Sequence, residues 1–144
     1  MTVTAQLVEV LGGRAVFRER EATYQTVIDK ARSGLPYAAL EAITERFDIP
    51  HEDLVRVLHL PPRTLARRKK ARKLSGAESD RLLRLARIAA RAEEVFGKRQ
   101  KAAAWLQKPN RALGGATPLD LLDTDLGALE VERILGRIEH GVYS

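Results

Sequence analysis

The chain has 144 residues, no cysteine and a formal net charge of +6. This length suffices for one compact domain or two small ones, and the lack of cysteine excludes disulfide bridges and thiolate metal sites. No apolar run approaches the roughly 18 residues of a membrane-spanning helix, and the first residues lack a signal-peptide pattern. We therefore expect a soluble cytoplasmic protein without a membrane partner.

The positive charge is concentrated in the middle of the chain. Residues 1–62 carry 7 basic and 9 acidic groups, a net charge of −2. Residues 63–111 carry 16 and 4, a net charge of +12, and residues 112–144 carry 2 and 6, a net charge of −4. An idle solvated surface would mix the two signs, whereas a block of one sign is the pattern of a nucleic-acid site.

The first third of the chain predicts an arm followed by short helices. A small apolar cluster near the start precedes Gly12 and Gly13, which interrupt any helix. We expect residues 1–22 to form a variable N-terminal arm that is weakly ordered or docked on a partner. Apolar side chains at helical spacing then predict a helix over 23–33 and another that starts at Pro36.

Two further helices have the outline of a helix-turn-helix. Apolar spacing predicts a helix over 51–58, and Pro61 and Pro62 suit the start of the next helix, because proline lacks the N–H that would be unpaired there. This second helix carries seven Arg and Lys residues between positions 63 and 73 and no acidic residue. Since the second helix of such a pair enters the major groove, we predict a DNA-binding domain over 23–74.

The position of each residue along the basic helix suggests its role. Arg63, Thr64 and Arg67 lie on the early part, which reaches base edges, and an arginine there can bond guanine through two hydrogen bonds. Leu65 is the one large apolar residue of the run and is expected to face the core. The later cations are expected to contact phosphates, which fixes position without reading sequence: Arg68, Lys69, Lys70, Arg72 and Lys73.

The second half of the chain predicts one long helix and several short ones. Ser75 and Glu78 have the spacing of a capping box, and an apolar stripe continues from there to Gly97 over about six turns. A short helix is predicted over 98–107, and the final helix should stop at Gly141.

Four arginines step along one face of the long helix: Arg81, Arg84, Arg87 and Arg91. Two roles are open for them. They can be solvated, as charged side chains on a helix surface commonly are, or they can provide further phosphate contacts. We favour solvation.

The sequence contains no arrangement that predicts catalysis or a metal site. His51, His59 and His140 lie on separate elements, without a paired carboxylate motif or metal-ligand spacing. Gly114 and Gly115 precede a helix cap and do not follow a strand as a phosphate-binding loop would. We therefore expect neither an enzyme nor a cofactor or small-molecule substrate.

Six segments together form a specific pattern: RTLARRK at 63–69, LSGAESDRLLRLARI at 74–88, VFG at 95–97, WL at 105–106, PNRALGGATPLDLL at 109–122 and GRIEHGVYS at 136–144. From about residue 34 onward, this pattern resembles the Xre antitoxins of RES–Xre toxin–antitoxin pairs, in the Xre/MbcA/ParS toxin-binding family. The resemblance implies an all-α fold with an N-terminal Xre-like helix-turn-helix domain and a small helical toxin-binding domain over 75–144. It also implies a homodimer.

The resemblance further implies that the C-terminal half binds and silences a RES toxin, an enzyme that degrades NAD⁺. In this family the C-terminal end of the antitoxin occupies the entrance of the toxin's active site. Because an aromatic ring can stack and the terminal carboxylate can pair with cations, we hypothesise that this end mimics part of a nucleotide. The alternative is a frayed terminus. The residues of the expected toxin-binding end are Arg137, His140, Gly141, Val142, Tyr143 and Ser144.

The sequence thus predicts an antitoxin that also represses its own operon by binding operator DNA. Two alternatives stay open. One is a stand-alone dimeric helix-turn-helix repressor whose C-terminal half only dimerises. The other is a toxin binder whose DNA-binding half has decayed.

Overall fold

The computed structural model describes residues 3–18 and 22–141, and the regular elements in these ranges are all helical. The α-helices are α1 (Val3–Val10), α2 (Arg14–Phe17), α3 (Tyr24–Ser33), α4 (Tyr37–Phe47), α5 (His51–Val57), α6 (Pro62–Ala71), α7 (Gly76–Phe96), α8 (Arg99–Leu106) and α9 (Asp125–Glu139). Two short 3-10 helices, Arg111–Leu113 and Leu119–Asp123, lie between α8 and α9. The predicted all-α class is confirmed. Within the described ranges, none of the helices combines the length and apolar character that a membrane crossing requires.

Helix α7 is the centre of the fold. Its predicted capping box is present, because the Glu78 N–H donates to the Ser75 hydroxyl (3.2 Å) and the Ser75 N–H donates to the Glu78 carboxylate (2.8 Å). Helices α1, α3, α4, α8 and α9 all pack on α7, and its Leu82, Leu85 and Ile88 are completely buried. One hydrophobic core therefore runs through both halves of the chain.

The N-terminal segment differs from the expected weakly ordered arm. Leu7, Val10 and Leu11 are buried in the core. The side-chain amide of Gln6 on α1 donates to the backbone oxygen of Ala90 on α7 at 3.0 Å. The glycine pair does end α1, as predicted. A helix this short is marginal on its own. Packing on α7 stabilises it, so the expectation of a weakly ordered arm was wrong.

Helix α9 is fixed at its first turn by the preceding 3-10 helix. It begins after Thr124, whose hydroxyl accepts a hydrogen bond from the Gly127 N–H at 3.0 Å. Gly127 lies so close to the backbone carbonyl of Leu121 that a Cβ atom would overlap it. Farther along, Val131 and Leu135 are buried, as their helical spacing predicts. The orientation of α9 therefore depends on a glycine at position 127.

We expect Gly127→Ala to destabilise the protein by about 1–3 kcal/mol, because the added methyl group would push α9 away from the Leu121 carbonyl. Gly136→Ala is the matched control in the same helix, since no neighbouring atom lies within 4 Å of its Cβ position. That variant should be more stable than the unmodified chain by up to about 1 kcal/mol, because alanine favours the helix. Denaturant unfolding of the two variants side by side measures both effects. Equal stability would contradict close packing at Gly127.

Candidate functional site

Helices α5 and α6 form the predicted pair, joined by a short turn. His59 lies in that turn with a left-handed backbone conformation, φ 53°. Leu58 and Leu60, on either side of it, are buried and anchor the turn in the core. Helix α6 then starts with Pro61 at its N-cap and Pro62 at its first position, where the missing proline N–H leaves nothing unpaired.

Helix α6 presents three cations on the side opposite Leu65. Leu65 is buried, whereas Arg63, Arg67 and Lys70 are exposed and share one face at spacings of four and three residues. Thr64 is half-buried. In the described part of the chain none of the three cations has an acidic partner. They are therefore available to a polyanion.

Arg68 lies away from that face and binds Glu78. Its Nε–H donates to Oε1 of Glu78 at 2.7 Å, and the Glu78 residue is only 6% exposed. Burial acts to raise the pKa of Glu78, but hydrogen bonds from Arg68 and Ser75 outweigh burial and lower the pKa below its ordinary value. Arg68 thus joins α6 to the capping box of α7. Its expected role as a phosphate contact stays a prediction.

We expect Glu78→Gln to destabilise the protein at pH 7 by about 1 kcal/mol, because glutamine keeps the capping hydrogen bond but lacks the charge that binds Arg68. The pKa of Glu78 is lower in the folded than in the unfolded chain. The carboxylate therefore stabilises the fold above its unfolded pKa, and this contribution disappears as the pH falls through the folded pKa. The difference in unfolding free energy between the two proteins should accordingly shrink as the pH falls below the unfolded pKa and then through the lowered folded pKa. A difference that stays constant with pH would contradict this role.

The other predicted phosphate contacts are exposed: Lys69, Arg72 and Lys73. Lys69 and Arg72 line a hollow of about 640 Å³ together with Arg18 and Lys30, and Glu41 is the one acidic residue among the described residues that line it. Arg18 follows α2 and Lys30 belongs to α3, so only the fold brings them beside α6. No sequence pattern connects them to the basic helix, and the sequence interpretation therefore missed them.

The four arginines of α7 bind other elements of the chain. Arg81 donates to the carbonyl oxygen of Leu58 at 3.1 Å. The other three form ion pairs: Arg84 with Asp125 (2.8 Å), Arg87 with Glu132 (2.8 Å) and Arg91 with Glu139 (2.6 Å). The last three partners lie on α9 at intervals of seven residues, so α9 is paired with α7 along its length. Exposed ion pairs contribute at most about 1 kcal/mol each, so these contacts orient α9 more than they stabilise it. The expectation that the arginines are simply solvated was wrong.

The C-terminal module, which consists of α8, the two 3-10 helices and α9, also contacts the helix-turn-helix. The guanidinium of Arg56 on α5 donates to the Asp120 carboxylate at 2.7 Å. A ring nitrogen of His59, in the turn, lies 3.1 Å from the carbonyl oxygen of Asp123. The 3-10 helix Leu119–Asp123 carries both acceptors and packs on α5. The helix-turn-helix and the C-terminal module are therefore joined through α5 and the turn.

The described part of the expected toxin-binding end is largely accessible. Helix α9 ends at Glu139, His140 is exposed and Arg137 is half-buried. Gly141 is exposed with φ 73°, a conformation that favours glycine and suits the predicted end of the helix. The remaining residues of this end lie outside the described residues: Val142, Tyr143 and Ser144. Among residues 3–18 and 22–141, no His, Asp and Glu side chains are grouped as a metal site requires.

The fold and these surfaces define a small all-α protein with a basic helix-turn-helix and a C-terminal helical module. Residues 26–87 match the family model of the antitoxin Xre-like helix-turn-helix domain. Residues 91–141 match that of the antitoxin Xre/MbcA/ParS C-terminal toxin-binding domain. The chain belongs to this antitoxin family, which confirms the resemblance noted from the sequence. The two matches meet inside α7, whereas the predicted domain boundary at residue 74 stays a prediction.

Named relatives match long stretches of the chain. Antitoxin Xre of Photorhabdus laumondii is 37% identical over 113 residues, 77% of this chain and 76% of that protein. Antitoxin Xre of Yersinia enterocolitica is 35% identical over 136 residues, 91% and 92% of the two chains. The Prs ADP-ribosylating antitoxin of a Sphingobium species is 35% identical over 80 residues, 49% of this chain and 50% of that protein.

A solved structure shares the fold. The crystal structure of the M. tuberculosis MbcT–MbcA toxin–antitoxin complex contains a chain that matches with a TM-score of 0.53 and 22% identity. The match covers 86% of this chain and 100% of that one.

Proposed function

We propose that this chain is the antitoxin of a type II toxin–antitoxin pair and neutralises a RES-domain toxin, an NAD-degrading enzyme, by direct binding. The observation that carries the proposal is that one chain matches both the toxin-binding and the helix-turn-helix family models and aligns with two Xre antitoxins over three quarters or more of their length. The chain acts by binding and performs no catalysis itself.

Neutralisation is proposed to occur at the C-terminal end. Helix α9 ends at Glu139, and His140 and Gly141 beyond it are exposed, so a partner can reach this end of the helix. The ring of Tyr143 has the chemistry to stack in a site that otherwise takes NAD⁺, and Arg137 has the charge to pair with an acidic group there. An end placed in the active-site entrance would exclude the dinucleotide.

The same chain is proposed to repress its own operon as a homodimer. The exposed face of α6 supplies Arg63 and Arg67 to base edges, while Lys70 and the cations of the neighbouring hollow bind phosphates. Two helix-turn-helix units would bind a near-palindrome with half-sites about 34 Å apart. This proposal implies a cytoplasmic location.

The toxin half of the proposal is tested with the protein encoded by the adjacent gene. NAD⁺ consumption by that protein is measured alone and after mixing with an equimolar amount of the intact chain. We expect consumption to stop. A partner that stays fully active, or that does not consume NAD⁺, would overturn this half.

The DNA half is tested by the salt dependence of binding to the upstream operon fragment. If each subunit neutralises about three phosphates, log K against log salt should have a slope of about −5 for the dimer. A slope near zero would exclude the proposed electrostatic contact with DNA.

A further inference from the structure

The outward face of α9 carries a continuous stripe of side chains from its first turn to its end. Its members follow one another at spacings of three and four residues, which places them on one side of the helix: Leu126, Leu129, Arg133, Arg137 and His140. Glu130 lies on the same side and pairs with Arg133 at 3.4 Å. Leu126 is 79% exposed and Leu129 is 52% exposed. The buried residues Val131 and Leu135 lie on the opposite face.

The exposed leucines are held on a fixed support. Leu126 stands between Asp125, which pairs with Arg84 of α7 at 2.8 Å, and Gly127, which packs against the Leu121 carbonyl. The Thr124 hydroxyl caps the same turn. A surface on such a helix can meet a partner without first being ordered, which favours binding.

Residues 141–144 are too few to form a stable interface by themselves. A specific complex commonly buries about 800 Å² on each partner and uses about 20–30 residues a side. The toxin must therefore contact more of the domain. The stripe leads directly to the C-terminal end, and Leu126 lies about 22 Å from Gly141 along the helix axis.

We infer that the toxin binds along this stripe, with Leu126 and Leu129 packed against an apolar part of its surface and Arg133 and Arg137 facing acidic groups nearer its active site. The inference rests on the proposed function and specifies which surface of the chain contacts the toxin. Isolated exposed apolar side chains are common on protein surfaces. Here two neighbouring leucines lie within the segment that matches the toxin-binding domain, residues 91–141.

The experiment compares two double variants of the full chain. Leu126→Ser with Leu129→Ser should weaken toxin binding about 100-fold, because burial of each leucine contributes roughly tenfold or more in affinity. Tyr24→Ser with Ile28→Ser is the matched control, since these residues are 56% and 40% exposed and lie on α3, outside the toxin-binding segment. The control should change affinity less than about threefold. Affinity is measured by calorimetric titration, and circular dichroism verifies the fold of each variant.

The outcomes separate this inference from the proposed function. If the unmodified chain does not bind the toxin, the proposed function fails. If the unmodified chain and the leucine variant bind equally well, or if both double variants lose affinity equally, the α9 stripe is not the contact and the inference is overturned. Should the leucine variant not fold, Arg133→Glu takes its place. That variant must weaken binding about tenfold, and unchanged binding would again overturn the inference.

Discussion

Removal of residues 141–144 is expected to abolish toxin neutralisation while the fold and operator binding are retained. The deletion starts beyond the last turn of α9, where the Gly141 N–H donates to the Ile138 carbonyl at 3.1 Å and the neighbouring His140 is exposed. Gly141 is itself exposed, so we expect the melting temperature to change by no more than about 2 °C. NAD⁺ consumption by the toxin in the presence of excess shortened chain measures the loss.

Two readouts distinguish a blocking end from a frayed terminus. The shortened chain should still bind the toxin through the stripe on α9, more weakly than the intact chain, and should leave the toxin active in the complex. Tyr143→Ala, which removes only the ring, should produce a partial defect. Full neutralisation by the shortened chain would exclude the C-terminal end as the blocking element.

Replacement of Arg63 and Arg67 by alanine is expected to reduce operator affinity about 100-fold or more. Each arginine that binds a base through two hydrogen bonds contributes about 1–3 kcal/mol to discrimination between bases. Its replacement also removes a positive charge that lies near the DNA phosphates. Both side chains are exposed on the face of α6 opposite the buried Leu65, so the fold should be unaffected. Fluorescence anisotropy at fixed salt measures the affinity.

The matched control removes the same net charge elsewhere. Arg99 and Lys101 are exposed cations on α8, and their double alanine variant should bind the operator within about threefold of the unmodified chain. The variant that lacks Arg63 and Arg67 should neutralise the toxin normally, because α6 lies outside the segment that matches the toxin-binding domain. Equal loss of operator affinity in the two variants would indicate a general effect of charge and contradict a specific role for α6.

Local signals made most helix starts predictable from the sequence. The Ser75–Glu78 capping box and the prolines before α6 act within three or four residues, so their effect does not depend on the rest of the fold. The same holds for the burial of Leu65, the one large apolar residue on a polar helix. These signals correctly predicted the helix pair and the exposed basic face.

Contacts between distant elements could not be predicted in this way. Arg87 meets Glu132 and Arg91 meets Glu139 only because α9 packs on α7, and their separations of 45 and 48 residues leave no periodic signal. Arg68 resembles its cationic neighbours in sequence, yet the turn after α6 brings Glu78 to its guanidinium. The N-terminal segment was misjudged for the same reason, because its apolar residues are buried by a helix some 80 residues away, as the Gln6–Ala90 contact shows.

Both matched domains share α7, and this affects how the protein can be degraded in the cell. A cut within α7 would leave each fragment with an uncovered apolar surface, because α1, α3, α8 and α9 all pack on this one helix. A protease could therefore not remove one activity and spare the other. Under the proposed function, each molecule that is degraded would release a toxin and an operator together. Degradation of this one polypeptide would therefore control both the activity of the toxin and the renewed expression of the operon.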